Sequence, residues 1–487
     1  MKKKQWIALM LLIGVLLGNV SAMADYRYDE FDDTIPAQAG FTARTTRNGR
    51  QLGVGAFKQP TDLYVDDIRR EIYVLDAGNS RIVILNDDFQ AVQVVETLHQ
   101  GGEAMDLTGA TGIFVDASGL IYVADGTNQR VLVADRTGEV QRVVTRPTSG
   151  LLADSINYIP RNVIIDGIGI MYIISQNSTQ GAYMLDKQGN FLGFYGRNDV
   201  AVTASVLYQA MLRELATEKQ RAGMANFIPV EFANFDVDSE GFIYTVTAYA
   251  DNRRNFDMIR KLNPLGDNIL TNLYRSYGDD PQANGQYTTS YCDVVVDGDG
   301  FIYALDAYNG RIFQYDSEGF QLSIFGGKGN QQGCFNTPVA IECLDERILV
   351  LDKAKANITV FEETRFGGLL REGMVAYNSG SLEASMPYFE ELIRMDANFF
   401  FAYYVLADAY YELGEYALAE KYAKLTPYAA EVYSLAKKEL RNAWLREHFA
   451  LIFIAVVAAG LALMFISRVR EEMRRGPRPM TGKEAAR

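Results

Sequence analysis

A repeated unit of about 50 residues fills the first three quarters of the sequence and constrains the fold more than any other feature. Each clear copy has an apolar strand ending in Asp, a turn, a second strand of Ile-Tyr type, the triplet Asp-x-x-Asn-x-Arg and a third strand. Three copies are clear and three are degenerate. The clear copies lie at residues 62–87, 112–138 and 293–319, and the degenerate ones at 162–189, 235–249 and 339–363.

The spacing of the copies matches the size of a β-propeller blade. The Asp that ends the first strand recurs after 50, 50, 72, 59 and 48 residues, at Asp66, Asp116, Asp166, Asp238, Asp297 and Asp345. Strand-like segments such as residues 91–96 and 320–325 lie between the copies, so each unit holds four strands. Four strands in such a unit are typical of a propeller blade. The sequence therefore predicts a mainly β chain with a six-bladed β-propeller at residues 58–363.

The sixth unit lacks an outermost strand of its own. Residues 25–57 precede the first copy and contain the strand-like segment FTARTTR, which begins at Phe41. A strand from this segment would join the first and last blades and remove an exposed sheet edge. The N-terminal segment is therefore predicted to supply a strand that closes the propeller.

The repeat resembles the NHL repeat of six-bladed β-propellers. Its most specific marks are the triplets at Asp76, Asn79 and Arg81, at Asp125, Asn128 and Arg130, and at Asp306, Asn309 and Arg311. The glycine-spaced linker at residues 325–338 is a second mark, whereas the third and fourth units depart from the triplet. An Asp there can accept backbone N–H bonds and pair with the Arg, so we expect a structural role. Direct contact with a ligand is the alternative.

Composition excludes several classes of function. There are 61 Asp and Glu residues against 47 Lys and Arg, a net charge of −14 that argues against nucleic-acid binding. His99 and His448 are the only histidines in the sequence. This scarcity argues against metalloenzymes and hydrolases whose active sites need several histidines. The odd cysteine count, Cys292, Cys334 and Cys343, predicts inert thiols, with a Cys334–Cys343 bridge as the alternative.

The two ends of the chain carry membrane-targeting patterns. Three Lys residues, an apolar run at 6–17 and Ala-Met-Ala at 22–24 predict a signal peptide at residues 1–24, with an uncleaved anchor as the alternative. Residues 449–467 contain no charged side chain and are long enough to cross a bilayer. The Arg-rich tail at 468–487 places that end in the cytoplasm. The chain is thus predicted to be a single-pass cell-membrane protein with an extracytoplasmic N-terminal domain, in a bacterial envelope.

Residues 364–447 change from strand alternation to helical periodicity. Two segments set 34 residues apart align Gly373 with Ala407, Tyr377 with Tyr411 and Gly380 with Gly414. This segment resembles a pair of tetratricopeptide (TPR) repeats. Because two repeats are fewer than a self-sufficient array needs, we expect a stalk, with a peptide-binding groove as the alternative.

Three insertions are expected on one face of the propeller, where loops on a rigid scaffold commonly bind partners. They lie at residues 200–223, 250–257 and 271–291. Their candidate binding residues are Leu207, Met211, Arg253, Arg254, Tyr274, Tyr277, Tyr287 and Tyr291. The tyrosines could stack on a sugar or peptide. The alternative is a loop held to its blade by its own aromatic rings.

The predicted function is non-catalytic binding of a protein, peptide or glycan partner, with no cofactor, metal or nucleic acid. An accessory role in a membrane transport complex is one form of it. The alternative is a metal-dependent lactonase, which some six-bladed relatives are. The inner strands offer few convergent carboxylates for that chemistry, chiefly Asp62, Glu231 and Glu342.

Overall fold

The apolar runs of the repeats form short strands, and the Asp- and Gly-rich segments between them form the turns. The structure, a computed structural model, describes residues 25–28, 34–149, 152, 158–178, 180–196, 231–248, 258–270, 277–279 and 289–476. Predictions for residues 1–24 and 477–487 fall outside this range.

The described strands are β1 (Tyr26–Tyr28), β2 (Thr34–Pro36), β3 (Phe41–Asn48), β4 (Asp62–Asp66), β5 (Glu71–Asp76), β6 (Arg81–Asn86), β7 (Ala91–Val95), β8 (Leu98–Gln100), β9 (Glu103–Met105), β10 (Ala110–Val115), β11 (Ile121–Asp125), β12 (Arg130–Ala134), β13 (Val140–Thr145), β14 (Pro160–Ile165), β15 (Met171–Ser175), β16 (Ala182–Leu185), β17 (Phe191–Tyr195), β18 (Phe232–Val237), β19 (Ile243–Thr247), β20 (Ile259–Leu262), β21 (Tyr291–Val296), β22 (Ile302–Asp306), β23 (Arg311–Tyr315), β24 (Gln321–Gly326), β25 (Pro338–Leu344), β26 (Arg347–Asp352) and β27 (Asn357–Glu363). The helices are α1 (Arg365–Asn378), α2 (Leu382–Met395), α3 (Phe400–Glu412), α4 (Tyr416–Ala423) and α5 (Ala430–Arg474).

The strands form six antiparallel sheets, which are the blades of a propeller. Blades 1, 2, 3 and 5 are β4–β7, β10–β13, β14–β17 and β21–β24, each paired in chain order. Blade 4 has three strands within the described residues, β18–β20, and blade 6 has the order β25-β26-β27-β3. Apolar side chains on both faces of the middle strands fill the spaces between neighbouring blades. The predicted six-bladed, mainly β fold is confirmed.

The segment FTARTTR forms β3, which pairs antiparallel with β27. The first blade of the chain is therefore held beside the last by a strand that precedes it in sequence. Arg70 of blade 1 adds a link to Asp345 of blade 6, with Nη2 and Oδ2 2.7 Å apart. That link is solvent-exposed and adds little to stability, so the backbone pairing of β3 carries the closure.

The triplets act as hydrogen-bonding units at the ends of the second strands. In blade 1, buried Asp76 accepts from Arg81 Nε at 2.8 Å, from Asn79 Nδ2 at 2.8 Å and from the Lys58 amide at 2.7 Å. The equivalent Asp125 accepts from Asn128 and Arg130 in the same way. Each triplet thus ties a blade to the segment that enters it.

Blade 5 departs from this arrangement. Asp306 accepts from the backbone amides of Ser290, Tyr308 and Asn309, at 2.8–3.2 Å. Its Arg311 instead reaches Asp279, which also accepts from the hydroxyl groups of Tyr26 and Tyr28. The Arg of this triplet therefore fastens β1 of the N-terminal segment against the outside of blade 5.

The helical segment consists of two antiparallel helix pairs followed by one long helix. Gly380 lies in the middle of the α1–α2 connection and Gly414 in the middle of the α3–α4 connection, with φ of +78° and +79°. These left-handed backbone positions favour glycine and are typical of helix C-terminal caps. The side chain of Thr364 caps α1 by accepting from the amide of Gly367.

Two faces of the propeller are distinguished by the direction of the strands. We call the end where the inner strands begin the mouth face, and the end where they turn into the second strands the turn face.

Because β27 is a third strand, it ends at the turn face, and α1 begins there. Phe320, in the β23–β24 turn, packs against Phe401 of α3 and Tyr428, with ring centroids 4.3 and 5.0 Å apart. The helices are therefore attached to the turn face of blades 5 and 6.

Buried Arg371 of α1 provides the polar part of this attachment. Its guanidinium lies 2.9 Å from Asp297 in the inner turn of blade 5 and 2.6 Å from Glu363 at the end of β27. It also donates to the Tyr303 hydroxyl at 3.0 Å and lies over the Phe301 ring. The guanidinium also lies 2.7 Å from the more exposed Asp299, so one buried cation that contacts three carboxylates fixes how α1 sits on the propeller.

Helix α5 has 45 residues and would be about 68 Å long. Its early residues Val432 and Ala436 are buried, whereas apolar side chains between Phe449 and Ile466 are exposed. The most apolar window has a mean hydropathy of 2.9. The helix is thus long and apolar enough to cross a membrane.

Replacing Arg371 by Met is expected to lower the free energy of unfolding by about 3–5 kcal/mol, because Asp297 and Glu363 would remain buried without their cation. Thermal and denaturant unfolding of the purified protein measure the change. Arg365→Met is the matched control, because Arg365 is also on α1 but forms only an exposed ion pair, with Glu391 of α2. Its loss should lower the free energy of unfolding by less than about 1 kcal/mol. Equal losses in the two variants would contradict this role for Arg371.

Candidate binding site at the mouth of the channel

The inner strands place one equivalent residue each near the mouth end of the central channel. We call these six positions the axial ring: Asp62, Gly112, Asn162, Asn234, Asp293 and Ala340. In five of the six strands a β-bulge directly precedes the ring position. Bulges re-aim the following side chain, and here the polar members line the cavities of the channel.

The two carboxylates of the axial ring each join two blades. Asp62 accepts from the amide of Leu63 at 2.9 Å and from that of Ile113, on blade 2, at 2.7 Å. Asp293 accepts from the amide of Val294 at 2.8 Å and from that of Ile341, on blade 6, at 2.7 Å. One carboxylate thus satisfies amides of two neighbouring inner strands.

The two amide side chains continue this chain of hydrogen bonds between the carboxylates. Asn162 donates to Asn234, and Asn234 donates to Asp293, so blades 3, 4 and 5 are linked in sequence. Deeper in the channel, Asp236 bridges the amides of Val237 and Val296, both at 2.8 Å. The channel wall is therefore polar but largely satisfied by its own backbone.

Burial makes the channel carboxylates weak acids. Burial raises the pKa of Asp62 and of Asp236 to about 7, against the opposing effect of their backbone hydrogen bonds. The pKa values of Asp293 and Glu342 are also raised well above the usual range, first by burial and then by the neighbouring carboxylates. Around neutral pH the channel therefore holds bound protons.

A cavity of about 410 Å³ opens above the axial ring on the mouth face. It is lined by ring residues together with polar side chains of the second-to-third strand turns, including Thr127, Gln176 and Lys353. Arg161 and Lys353 make no side-chain hydrogen bond or ion pair to the described residues, and they belong to blades 3 and 6. The cavity thus has two cations at its rim and carboxylates and amides at its floor.

Cys292 also lines the cavity and precedes Asp293 in β21. Its Sγ lies 3.5 Å from the Leu305 carbonyl oxygen and 3.7 Å from that of Pro338. Burial raises the pKa of this thiol well above its usual range, so it is a poor nucleophile. Cys292, Cys334 and Cys343 are all free thiols.

Two of the predicted binding tyrosines are buried in blade 5. Tyr291 is 1% exposed, lies edge-on to Phe313 and shares a hydrogen bond of 2.9 Å with Tyr315. Tyr277 is also 1% exposed, and its ring packs against Tyr315. The prediction that these two side chains form a stacking surface is therefore wrong, because their rings fill the blade. The other candidates, Leu207, Met211, Arg253, Arg254, Tyr274 and Tyr287, lie outside the described residues.

The insertions themselves connect strands at the mouth face. The β17–β18 and β19–β20 connections and the segment entering β21 all meet strands at this end. Glu231, at the end of the first insertion, accepts from the Asn177 amide at 3.0 Å. The residues that follow the first and third insertions therefore lie beside the cavity, which Ala233 and Cys292 line.

Sequence reasoning identified Asp62 and Glu342 but missed Asn162, Asn234, Asp236 and Asp293. The ring residues lie four positions before the turn aspartates Asp66, Asp166, Asp238 and Asp297. That constant offset was the signal that could have found Asn162, Asn234 and Asp293, whereas Asp236 lies outside it.

No protein-family model matches the sequence, and no curated protein matches it. Solved propellers align with it at low similarity. Virginiamycin B lyase from Staphylococcus aureus has 10% identity over 66% of this chain and 100% of its own, with a TM-score of 0.39. A gluconolactonase from Xanthomonas campestris has 13% identity over 63% and 86%, with a TM-score of 0.39. The β-propeller domain of Cps50 (Swd1) from Myceliophteria thermophila has 10% identity over 63% and 97%, also at 0.39. Similarities this low carry no argument about activity.

Replacing Glu342 by Gln is expected to stabilise the fold at pH 8 by about 1–3 kcal/mol and to change little at pH 5. Glu342 binds its proton more tightly in the folded than in the unfolded chain. Its contribution is therefore present at acid pH and is lost as the pH rises through its raised pKa. Unfolding followed by circular dichroism at both pH values measures this difference.

Glu346→Gln, on the exposed turn of the same hairpin, is the matched control and should have no pH-dependent effect. An equal change at pH 5 and pH 8 for Glu342→Gln would show that its charge is not buried in the channel.

Proposed function

We propose that the protein is a membrane-anchored, non-catalytic binding protein that presents the mouth face of its propeller to a protein, peptide or glycan at the cell surface. The attachment of the helices to the turn face of blades 5 and 6 carries this proposal. Arg371 and Phe320 hold the helical segment there, so the described helices leave the mouth cavity uncovered. The three long connections enter β18, β20 and β21 at the mouth-face ends of these strands.

The repeats are proposed to be of NHL type, because Asp-Asn-Arg units tie blades 1 and 2 to the segments that enter them. The two helix pairs are proposed to be TPR-like, supported by Gly380 and Gly414 at equivalent turns 34 residues apart. With only two pairs, both supported by other parts of the chain, we assign them the role of a stalk. An accessory role in a membrane transport complex fits this arrangement.

The membrane topology is proposed from sequence and from α5. Residues 1–24 would act as a signal peptide, residues 449–467 would span the bilayer, and residues 468–487 would lie in the cytoplasm. The exposed apolar side chains of α5 and the arginines that follow them support this assignment. Residues 25–448 would then lie outside the cell membrane.

The lactonase alternative has less support. Asp62 and Glu342 both line the channel, but Asp62 is occupied by two backbone amides. Over the described part of the chain, no group of three His, Cys, Asp or Glu side chains is placed to hold a metal ion. We therefore keep binding as the proposed function and metal-assisted hydrolysis as its alternative.

Photo-crosslinking in native membranes tests the proposed binding face. A crosslinking amino acid at Thr127 or Gln176, on exposed turns of the mouth face, is expected to capture a discrete partner. The physical reason is that only groups within a few ångströms of a bound surface react. Immunoblotting of the crosslinked adducts provides the measurement.

The same amino acid at Gln188 or Glu240, on exposed turns of the opposite face, is the matched control and should give no discrete adduct. Adducts only from the turn face, or equal adducts from both faces, would contradict the assignment of the mouth face.

A further inference from the structure

A group of buried polar atoms without partners lies outside the propeller channel. Asp25 Oδ2, Arg27 Nε, Arg27 Nη1 and Gln321 Oε1 are buried, and none has a hydrogen-bond partner within the described part of the chain. Burying such atoms unsatisfied costs about 1–3 kcal/mol each. A concentration of them in one place therefore requires an explanation.

Arg27 and Gln321 line the same cleft, between the N-terminal segment, blade 5 and the helices. Its walls are largely aromatic and come from four parts of the chain: Tyr26 and Tyr28 of β1, Phe320 of the β23–β24 turn, Phe400 at the start of α3, and Tyr428 before α5. Asp25 lies two residues from Arg27 in an extended segment, on the same side of it. Two of the three residues with unpartnered atoms, Arg27 and Gln321, thus line a largely apolar space.

Arg27 is only partly neutralised inside this cleft. Its Nη2 lies 2.8 Å from Asp396 Oδ2, and its guanidinium lies 4.6 Å above the centroid of the Phe399 ring. Asp396 also accepts from the backbone amide of Gln38. The remaining Arg27 donors, Nε and Nη1, therefore face no acceptor from the described residues.

Asp25 does not satisfy these donors. It makes no hydrogen bond to Arg27, and burial raises its pKa to about 7, so a large share of it is protonated near neutral pH. A protonated carboxyl group competes poorly for a guanidinium. An acceptor supplied from outside the chain would be charged and would find both donors open.

We propose that this cleft binds a small carboxylic acid with an aromatic or short aliphatic body. The carboxylate would accept from Arg27, and the body would pack against the rings of Tyr28, Phe320 and Phe400. Charge-assisted hydrogen bonds to a buried guanidinium are among the strongest that a protein can offer a ligand. This site is separate from the mouth cavity and does not depend on the function proposed for it.

The ligand is a solute and not a bilayer lipid. Tyr428 lines the cleft, and about 20 helical residues separate it from the apolar stretch that begins at Phe449. These residues span about 30 Å along α5, too far for an acyl chain to reach while its lipid stays in the bilayer.

Titration calorimetry of the full-length protein in lipid nanodiscs tests the proposal, with phenylacetate and hexanoate as ligands. At least one of the two acids is expected to bind with one site per chain. The uncharged isostere of the better-binding acid, phenylacetamide or hexanamide, is expected to bind at least about tenfold more weakly, because an amide cannot replace a carboxylate opposite a buried guanidinium. Saturable binding of neither acid, or equal binding of acid and amide, would overturn the proposal.

Arg27→Lys should weaken binding of the acid at least about tenfold, since lysine keeps the charge near Asp396 but loses the second and third donor positions. Phe400→Ser, which leaves the ion pair intact, should also weaken binding because it removes part of the apolar wall. Arg44→Lys is the matched control, because Arg44 forms an exposed pair with Glu362 and should bind as the parent does. Parent-like affinity in both cleft variants would overturn the proposal.

Discussion

The pairing of β3 with β27 is the constraint on which the rest of the structure depends. Seven residue pairs join a strand near the start of the described chain to the last strand of the propeller. Without them, β27 of blade 6 would be an exposed sheet edge, and the pairing that joins the start of the described chain to the last blade would be lost. The channel exists only because six inner strands are held around one axis. Both the axial ring and the mouth cavity therefore depend on a contact between the two ends of the repeat array.

Closure also explains why so many ionisable groups are buried in the channel. Asp62, Asp236 and Asp293 each accept from amides of two neighbouring inner strands, so each fixes the position of one blade against the next. Burial opposes their ionisation and raises their pKa values. Apolar side chains would avoid this electrostatic cost, but they could not satisfy the amides. The polar channel thus exchanges some stability for a defined arrangement of the blades.

The sequence predicted the features that repeat and missed those that join distant segments. Strand alternation and the spacing of the turn aspartates were sufficient for six blades, and the Asp76 and Asp125 triplets hold their turns by local contacts. Arg311 has the same sequence context but pairs with Asp279, because β1 brings Tyr26 and Tyr28 to that side of blade 5.

Burial of Tyr277 and Tyr291 had no local signal either. Tyrosines in a long connection are equally consistent with a binding surface and with packing, and only the position of Tyr315 decides between them. The polar members of the axial ring were predictable in principle, since they share one offset from the turn aspartates. The cleft could not be predicted in this way, because Arg27 and Asp396 are far apart in the sequence.

The orientation of the propeller relative to helix α5 depends on how α1–α3 pack against blades 5 and 6, where one apolar cluster joins Phe301 and Ile348 to Leu370 and Phe389. Helix α5 buries only Val432 and Ala436, near its start, and then continues without a break to Arg474. Two polar contacts flank this cluster: Arg371 on one side of blade 5, and the Arg27–Asp396 pair with its surrounding rings on the other. The first is a nearly saturated buried ion network, whereas the second still has open donors. Any solute that accepts hydrogen bonds from those donors would strengthen the weaker of the two attachments. It would therefore fix more firmly the direction in which the mouth face points.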